Sequence, residues 1–66
     1  MEVFIERDSK TIEIKLENEI LVKKLLEDLN VSLESVIIVK NGSICLEEET
    51  LSDKDKVKIL SVVSGG

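Results

Sequence analysis

The period of the hydrophobic pattern changes once, near residue 18, and that change decides what this chain can fold into. Through Thr11-Ile12-Glu13-Ile14-Lys15-Leu16-Glu17 the apolar residues take every second position, which is the repeat of a strand with one wet face. From Val22 onward the spacing becomes helical. Val22, Leu25, Leu26 and Leu29 stand at i, i+3, i+4 and i+7, a single buried stripe. Asn18 is placed to cap this helix, Glu19 puts a negative charge in its first turn, and Asn30 is its expected stop. Lys23, Lys24, Glu27 and Asp28 take the wet face, with Lys23–Glu27 and Lys24–Asp28 spaced for ion pairs.

Strand patterns flank the helix on both sides. Glu2-Val3-Phe4-Ile5-Glu6 reads as a strand, and polar Arg7-Asp8-Ser9-Lys10 turns it back on Thr11–Glu17 as a hairpin. Beyond the helix, Val36-Ile37-Ile38-Val39 predicts a central strand buried on much of both faces. Asn41-Gly42 is a strong hairpin signal because both positions tolerate positive φ, so Ser43-Ile44-Cys45-Leu46 should return antiparallel. Glu47-Glu48-Glu49-Thr50 then forms an acidic loop, Leu51 drops onto the core, and Asp53-Lys54-Asp55-Lys56 turns into a last strand ending at Val63. The order β-β-α-β-β-β predicts an α+β domain: a mixed sheet of four to five strands with one helix packed across it. The crossover through the helix permits a parallel pair in an otherwise antiparallel sheet.

A chain of 66 residues buries only about 60% of its unfolded surface, so its core must be continuous. The pattern accommodates one domain over residues 1–64, with residues 65–66 as a tail. One cysteine provides no disulfide framework and fits a reducing compartment. No apolar stretch approaches the ~20 residues that span a bilayer, so a soluble, cytoplasmic protein is expected, with no membrane partner. The net charge of −5, and the lack of basic clusters interleaved with aromatics, argue against nucleic acid and favour a protein partner with basic patches.

Catalytic constellations are missing from the sequence. With no histidine, neither a Ser/His/Asp nor a Cys/His arrangement is possible, and no metal-ligand cluster forms. Cys45, between Ile44 and Leu46, reads as a packed or inertly exposed thiol rather than a nucleophile, and Glu47–Glu49 lacks the spacing of a calcium loop. Two features remain. Gly65-Gly66 is either a frayed end or a slim tether that threads a narrow channel and presents a carboxylate. On the last strand, Val57, Ile59, Ser61 and Val63 should face the helix, leaving Leu60 and Val62 outward. Joined by Val39 of the neighbouring strand, these form either a docking patch or ordinary scattered surface hydrophobes.

Three fragments, taken in order, carry a resemblance: Val36-Ile37-Ile38-Val39-Lys40-Asn41-Gly42, Leu51-Ser52-Asp53-Lys54-Asp55-Lys56-Val57-Lys58-Ile59, and the ending Val62-Val63-Ser64-Gly65-Gly66. Over its whole length the chain resembles the ubiquitin-like β-grasp sulfur carriers. That family includes the thiamine-pathway carrier, the small subunit of molybdopterin synthase and the archaeal ubiquitin-like modifiers. Lys54 stands where the family usually has glycine, and the Pro-Arg pair and later aromatic of the thiamine-type carriers are missing. The short acidic connection Glu47–Glu49 is nearer the archaeal modifiers.

The resemblance implies a carrier rather than an enzyme, with the carboxylate of Gly66 as its reactive group and Gly65 completing an unhindered tail. It implies no bound cofactor; ATP is used by an adenylating, ubiquitin-activating-like partner, which docks on Leu60, Val62 and Val39. A thiocarboxylate formed at Gly66 then donates sulfur to an accepting synthase in thiamine, molybdopterin or tRNA-thiolation pathways. Two other readings stand beside this one. The first is a modifier joined to lysines of target proteins, and the second is a β-grasp binding module that undergoes no chemistry.

Overall fold

The last strand lies in the middle of the sheet. In the computed structural model, which describes residues 1–62, the elements are β1 (Glu2–Ile5), β2 (Lys10–Glu13), β3 (Ile20–Leu21), α1 (Val22–Asp28), β4 (Val36–Lys40), β5 (Ser43–Cys45), β6 (Thr50–Leu51) and β7 (Lys56–Ser61). Five of them form one sheet in the order β2-β1-β7-β4-β5. Only the β1–β7 pair is parallel, and the rest are antiparallel. β3 and β6 make a separate two-stranded ladder. The result is the mixed α+β arrangement read from the sequence, with α1 on one face and two short strands added.

Alternation sets the core. Val3, Ile5, Ile38, Cys45, Val57 and Ile59 point to the helix side and are buried, where they meet Val22, Leu25, Leu26 and Leu51. Leu29 is only half-buried at the end of the helical stripe. Asn30 ends α1 as expected, at φ 61°. Its N–H donates to Glu27 O at 3.1 Å, and the Val31 N–H donates to Leu26 O at 2.9 Å. Together these close off the last helical carbonyls in a Schellman arrangement. Of the two i,i+4 pairs, Lys24–Asp28 closes at 3.5 Å.

The helix begins later than its cap signal suggested. Asn18 lies in a bend, and Leu21 occupies the N-cap position with no side-chain cap. Ile20 and Leu21 are drawn instead into the ladder opposite Leu51 and Thr50. The first helical N–H groups then find carbonyls in the acidic loop: Val22 N–H donates to Glu49 O at 2.9 Å and Lys23 N–H to Glu47 O at 3.3 Å. Backbone capping from a distant loop replaces local capping and makes an Asn18 cap superfluous.

Three strand expectations also need correction. β2 ends at Glu13 although Ile14 and Leu16 keep the alternation: Ile14 still exchanges backbone hydrogen bonds with Met1, at 2.8 and 2.6 Å, but the Leu16 N–H is taken by the Asp53 carboxylate at 2.8 Å. The apolar run of β4 is not the central strand. It lies next to the edge, and Ile37 is 40% exposed because α1 covers only one face. β7 ends at Ser61 rather than Val63, which lies outside the described residues, as does the predicted boundary between domain and tail.

The Asn41-Gly42 turn has φ values of 51° and 87°, the two-residue geometry expected of it. It is also tied to the start of β7. Asn41 Nδ2 donates to Asp55 Oδ1 at 2.9 Å, and Asn41 Oδ1 accepts the Lys56 N–H at 2.9 Å. Lys54 avoids the left-handed region, so a side chain fits there without strain.

Acid should loosen this framework. The Leu16 N–H, at 2.8 Å, is the main influence holding the Asp53 carboxyl below the ordinary carboxylate range. The Ser52 N–H at 2.8 Å, followed by the Asn41 amide, does the same for Asp55. Groups whose pKa falls on folding stabilise the protein above the unfolded value of about 4 and lose that contribution as pH drops through the folded value. Urea melts at a series of pH values should therefore show stability declining from about pH 5 downward. Replacing both residues (Asp53→Asn with Asp55→Asn) should lower stability at neutral pH and flatten the acid decline.

Candidate functional site

Among the described residues, no helix or strand lies over the sheet face turned away from α1. One row across this face reads Thr11, Phe4, Lys58, Val39 and Ile44, each residue directly opposite the next. Leu60 stands opposite Ile37 in the adjacent row. Phe4, Val39 and Leu60 are half-buried, and Ile37 and Ile44 are exposed. The predicted trio is therefore placed as its alternation required. Leu60 and Val39 share the open face on neighbouring strands, and Val62, 43% exposed, follows at the end of β7. Ile59, one residue from Leu60, is buried against the helix.

Three further residues belong to this face and were missed from the sequence: Phe4, Ile37 and Ile44. Signals for two of them were present. Ile37 is two residues from Val39 and must share its face. A two-residue turn at Asn41-Gly42 puts Ile44 directly opposite Val39.

Where β7 leaves the sheet, both sides of its backbone are held. On the β1 side the Ser61 N–H donates to Glu6 Oε1 at 2.8 Å, a carboxylate standing in for a strand that has already ended. On the β4 side the Val62 N–H donates to Ser35 O at 3.0 Å. The direction in which the chain departs is fixed up to Val62. Gly65 and Gly66, the predicted tail and reactive end, lie outside the described residues.

Cys45 is buried on the helix side of β5. Burial, followed by the nearby Glu49 charge, pushes its thiol pKa up, which disfavours the thiolate a nucleophile requires. Glu49 itself is held low chiefly by the Leu46 N–H, which it accepts at 2.7 Å. Among the described residues no group of His, Cys, Asp or Glu is arranged to hold a metal ion. No helix among them is long and apolar enough to cross a membrane.

Comparison with known proteins agrees with this geometry. The crystal structure of a thiamine biosynthesis protein (ThiS) from Geobacter metallireducens superimposes with a TM-score of 0.67 at 25% identity, over 100% of both chains. An NMR solution structure of a thiamine biosynthesis protein from the same organism gives a TM-score of 0.60 at 25% identity, over 100% of this chain and 88% of the other. The model of the ThiS family matches residues 2–66. With nearly its whole length inside that match, the chain belongs to the ThiS family, whose members are ubiquitin-like β-grasp sulfur carriers.

Proposed function

We propose that this sulfur carrier serves thiamine biosynthesis, with the carboxylate of Gly66 as the atom group that is loaded. The observation that supports the reading most is the exit of β7. An uncovered apolar face (Val39, Leu60, Ile37) runs to Val62, four residues before Gly66, at a point where both backbone edges are anchored. A partner seated on that face receives the chain from one direction.

A carboxylate is a poor acyl donor because it would have to expel oxide. An adenylating partner removes that obstacle. The Gly66 carboxylate attacks the α-phosphorus of ATP, pyrophosphate leaves, and a mixed anhydride with AMP results. A persulfide then displaces AMP, and a thiol cleaves the new S–S bond to leave the thiocarboxylate. That soft nucleophile hands its sulfur to the accepting synthase. Glycine at 65 and 66 leaves the attacked carbonyl unhindered and lets the tail enter a narrow slot. The chain binds no cofactor in this scheme, and ATP belongs to the partner.

One experiment tests the chemistry at its terminus. The native chain and a chain carrying one residue added after Gly66 are each incubated with the cognate adenylating enzyme, ATP and a persulfide donor. The native chain should support ATP–pyrophosphate exchange and gain the mass of an oxygen-to-sulfur replacement. The extended chain should fold normally and do neither. Normal exchange by the extended chain would overturn the assignment of Gly66. Isopeptide conjugates to lysines, with no sulfur gain, would replace the carrier reading with the modifier one.

A further inference from the structure

The sheet has a gap at its β5 edge, and the gap has a cause. β5 ends at Cys45, opposite Ile38. The chain turns away there because Glu47 O and Glu49 O must reach the first N–H groups of α1. The Glu49 carboxylate also accepts the Leu46 N–H at 2.7 Å, which holds this turn closed. β4, however, continues for two more residues, Val36 and Ile37. Asn41 N–H donates to Lys56 O and Ser35 O accepts the Val62 N–H, so odd-numbered residues of this segment pair toward β7. By the period-two rule, the backbone N–H and C=O of Val36 face the other way, into the space β5 has vacated.

That space is a groove of about 450 Å³, lined by Leu33, Val36, Ile37, Ile44 and Leu46, with Glu47 and Glu48 on its rim. Its volume falls in the range of genuine ligand clefts, ~300–1,000 Å³. Six large apolar side chains are exposed among the described residues, and four of them line this groove: Leu33 at 37%, Ile37 at 40%, Ile44 at 72% and Leu46 at 66%. The other two, Leu21 and Val62, lie elsewhere. Such a concentration on one small surface marks a contact site rather than scattered hydrophobes. Neither Glu47 nor Glu48 takes part in the ion pairs of the described residues.

We propose that this groove docks one extended, apolar segment of a partner protein carrying lysine or arginine, laid against the free edge of β4 in line with β5. The Val36 backbone provides a ladder step. Leu33, Ile44 and Leu46 receive alternate side chains, and the two rim carboxylates select a basic flank. The site shares Ile37 and Ile44 with the open face but lies at the opposite edge of the sheet from β2. Val39, Leu60 and Val62 are not part of it. The proposal does not depend on the chemistry at Gly66.

The test uses the isotope-labelled whole chain and two blocked synthetic hexapeptides, one alternating lysine with valine and the other glutamate with valine. The lysine peptide should shift the amide signals of Leu33, Val36, Leu46 and Glu47, approaching saturation by about 1 mM, with the glutamate peptide at least about tenfold weaker. Leu46→Ser, at a position exposed enough to spare the fold, should weaken the lysine peptide about tenfold. Glu47→Lys with Glu48→Lys should reverse the preference between the peptides, and Leu60→Asp should change nothing. No shifts, shifts centred on Lys58 and Leu60, or equal binding of both peptides would overturn the proposal. So would concentration-dependent shifts of the same residues in the free chain, which would assign the groove to a second copy.

Discussion

Ile59→Asp is expected to unfold this domain, whereas Leu60→Asp, one residue further along, is expected to leave it folded and unable to hold its adenylating partner. Ile59 is 2% exposed and packed among Ile5, Ile38 and the helix side chains. A carboxylate there has no cation or N–H donor to meet, and such a burial costs about 4 kcal/mol or more. A domain this small holds only about 3–5 kcal/mol in reserve, so the variant should show no cooperative urea transition. Leu60 points to the open face opposite Ile37. Its replacement should change stability by no more than about 1 kcal/mol and weaken binding by more than ~1.4 kcal/mol, a tenfold loss. Urea melts and binding titrations on both variants are the measurement. The reverse outcome, with Leu60→Asp unfolded and Ile59→Asp merely deficient in binding, would mean that β7 presents its other face.

Leu51→Ala should destabilise the domain severely. Leu51 is fully buried in the two-residue strand β6, where its backbone pairs with Ile20 and its side chain enters the core. Removing the side chain leaves a cavity beneath a connection too short to collapse into it, at a cost of about 3 kcal/mol. That is most of the domain's reserve. Leu46→Ala, five residues earlier and 66% exposed, should stay within about 0.5 kcal/mol of the parent. The midpoint of urea unfolding should separate the two with unchanged slope.

Leu51 also illustrates what the sequence could reveal. A lone apolar residue between Glu47-Glu48-Glu49-Thr50 and Ser52-Asp53 has only the core to go to, and it goes there. Local signals of that kind held: Asn41-Gly42 as a two-residue turn, Asn30 as the helix stop, and the in-and-out order of Val57 to Leu60. Features that depend on a distant partner did not. Nothing near Asn18 announces that Glu47 and Glu49 will cap the helix, or that Ile20 and Leu21 will be claimed by β6. Nor does anything near Leu16 announce that its N–H will be taken by the distant Asp53 carboxylate. For the open face, alternation placed Val39, Leu60 and Val62. Phe4 was beyond reach because it joins Val39 only through Lys58 of the intervening strand, a relation that needs the strand order.

The position of β7 has a consequence for how the chain comes off the ribosome. β1 and β4 are both neighbours of β7 and not of each other, so the sheet stays in two unconnected halves until residues 56–61 arrive. Pairings between the two ends of a chain are the slowest kind to form, because loop-closure entropy must be met before any contact rewards it. A nascent chain lacking β7 can fold its β1–β2 and β4–β5 hairpins and α1, but has no centre on which to pack them. Prematurely terminated chains should thus remain open to proteases. Only a chain translated through its last strand becomes a folded domain, and the residues that follow that strand are those proposed to carry the sulfur.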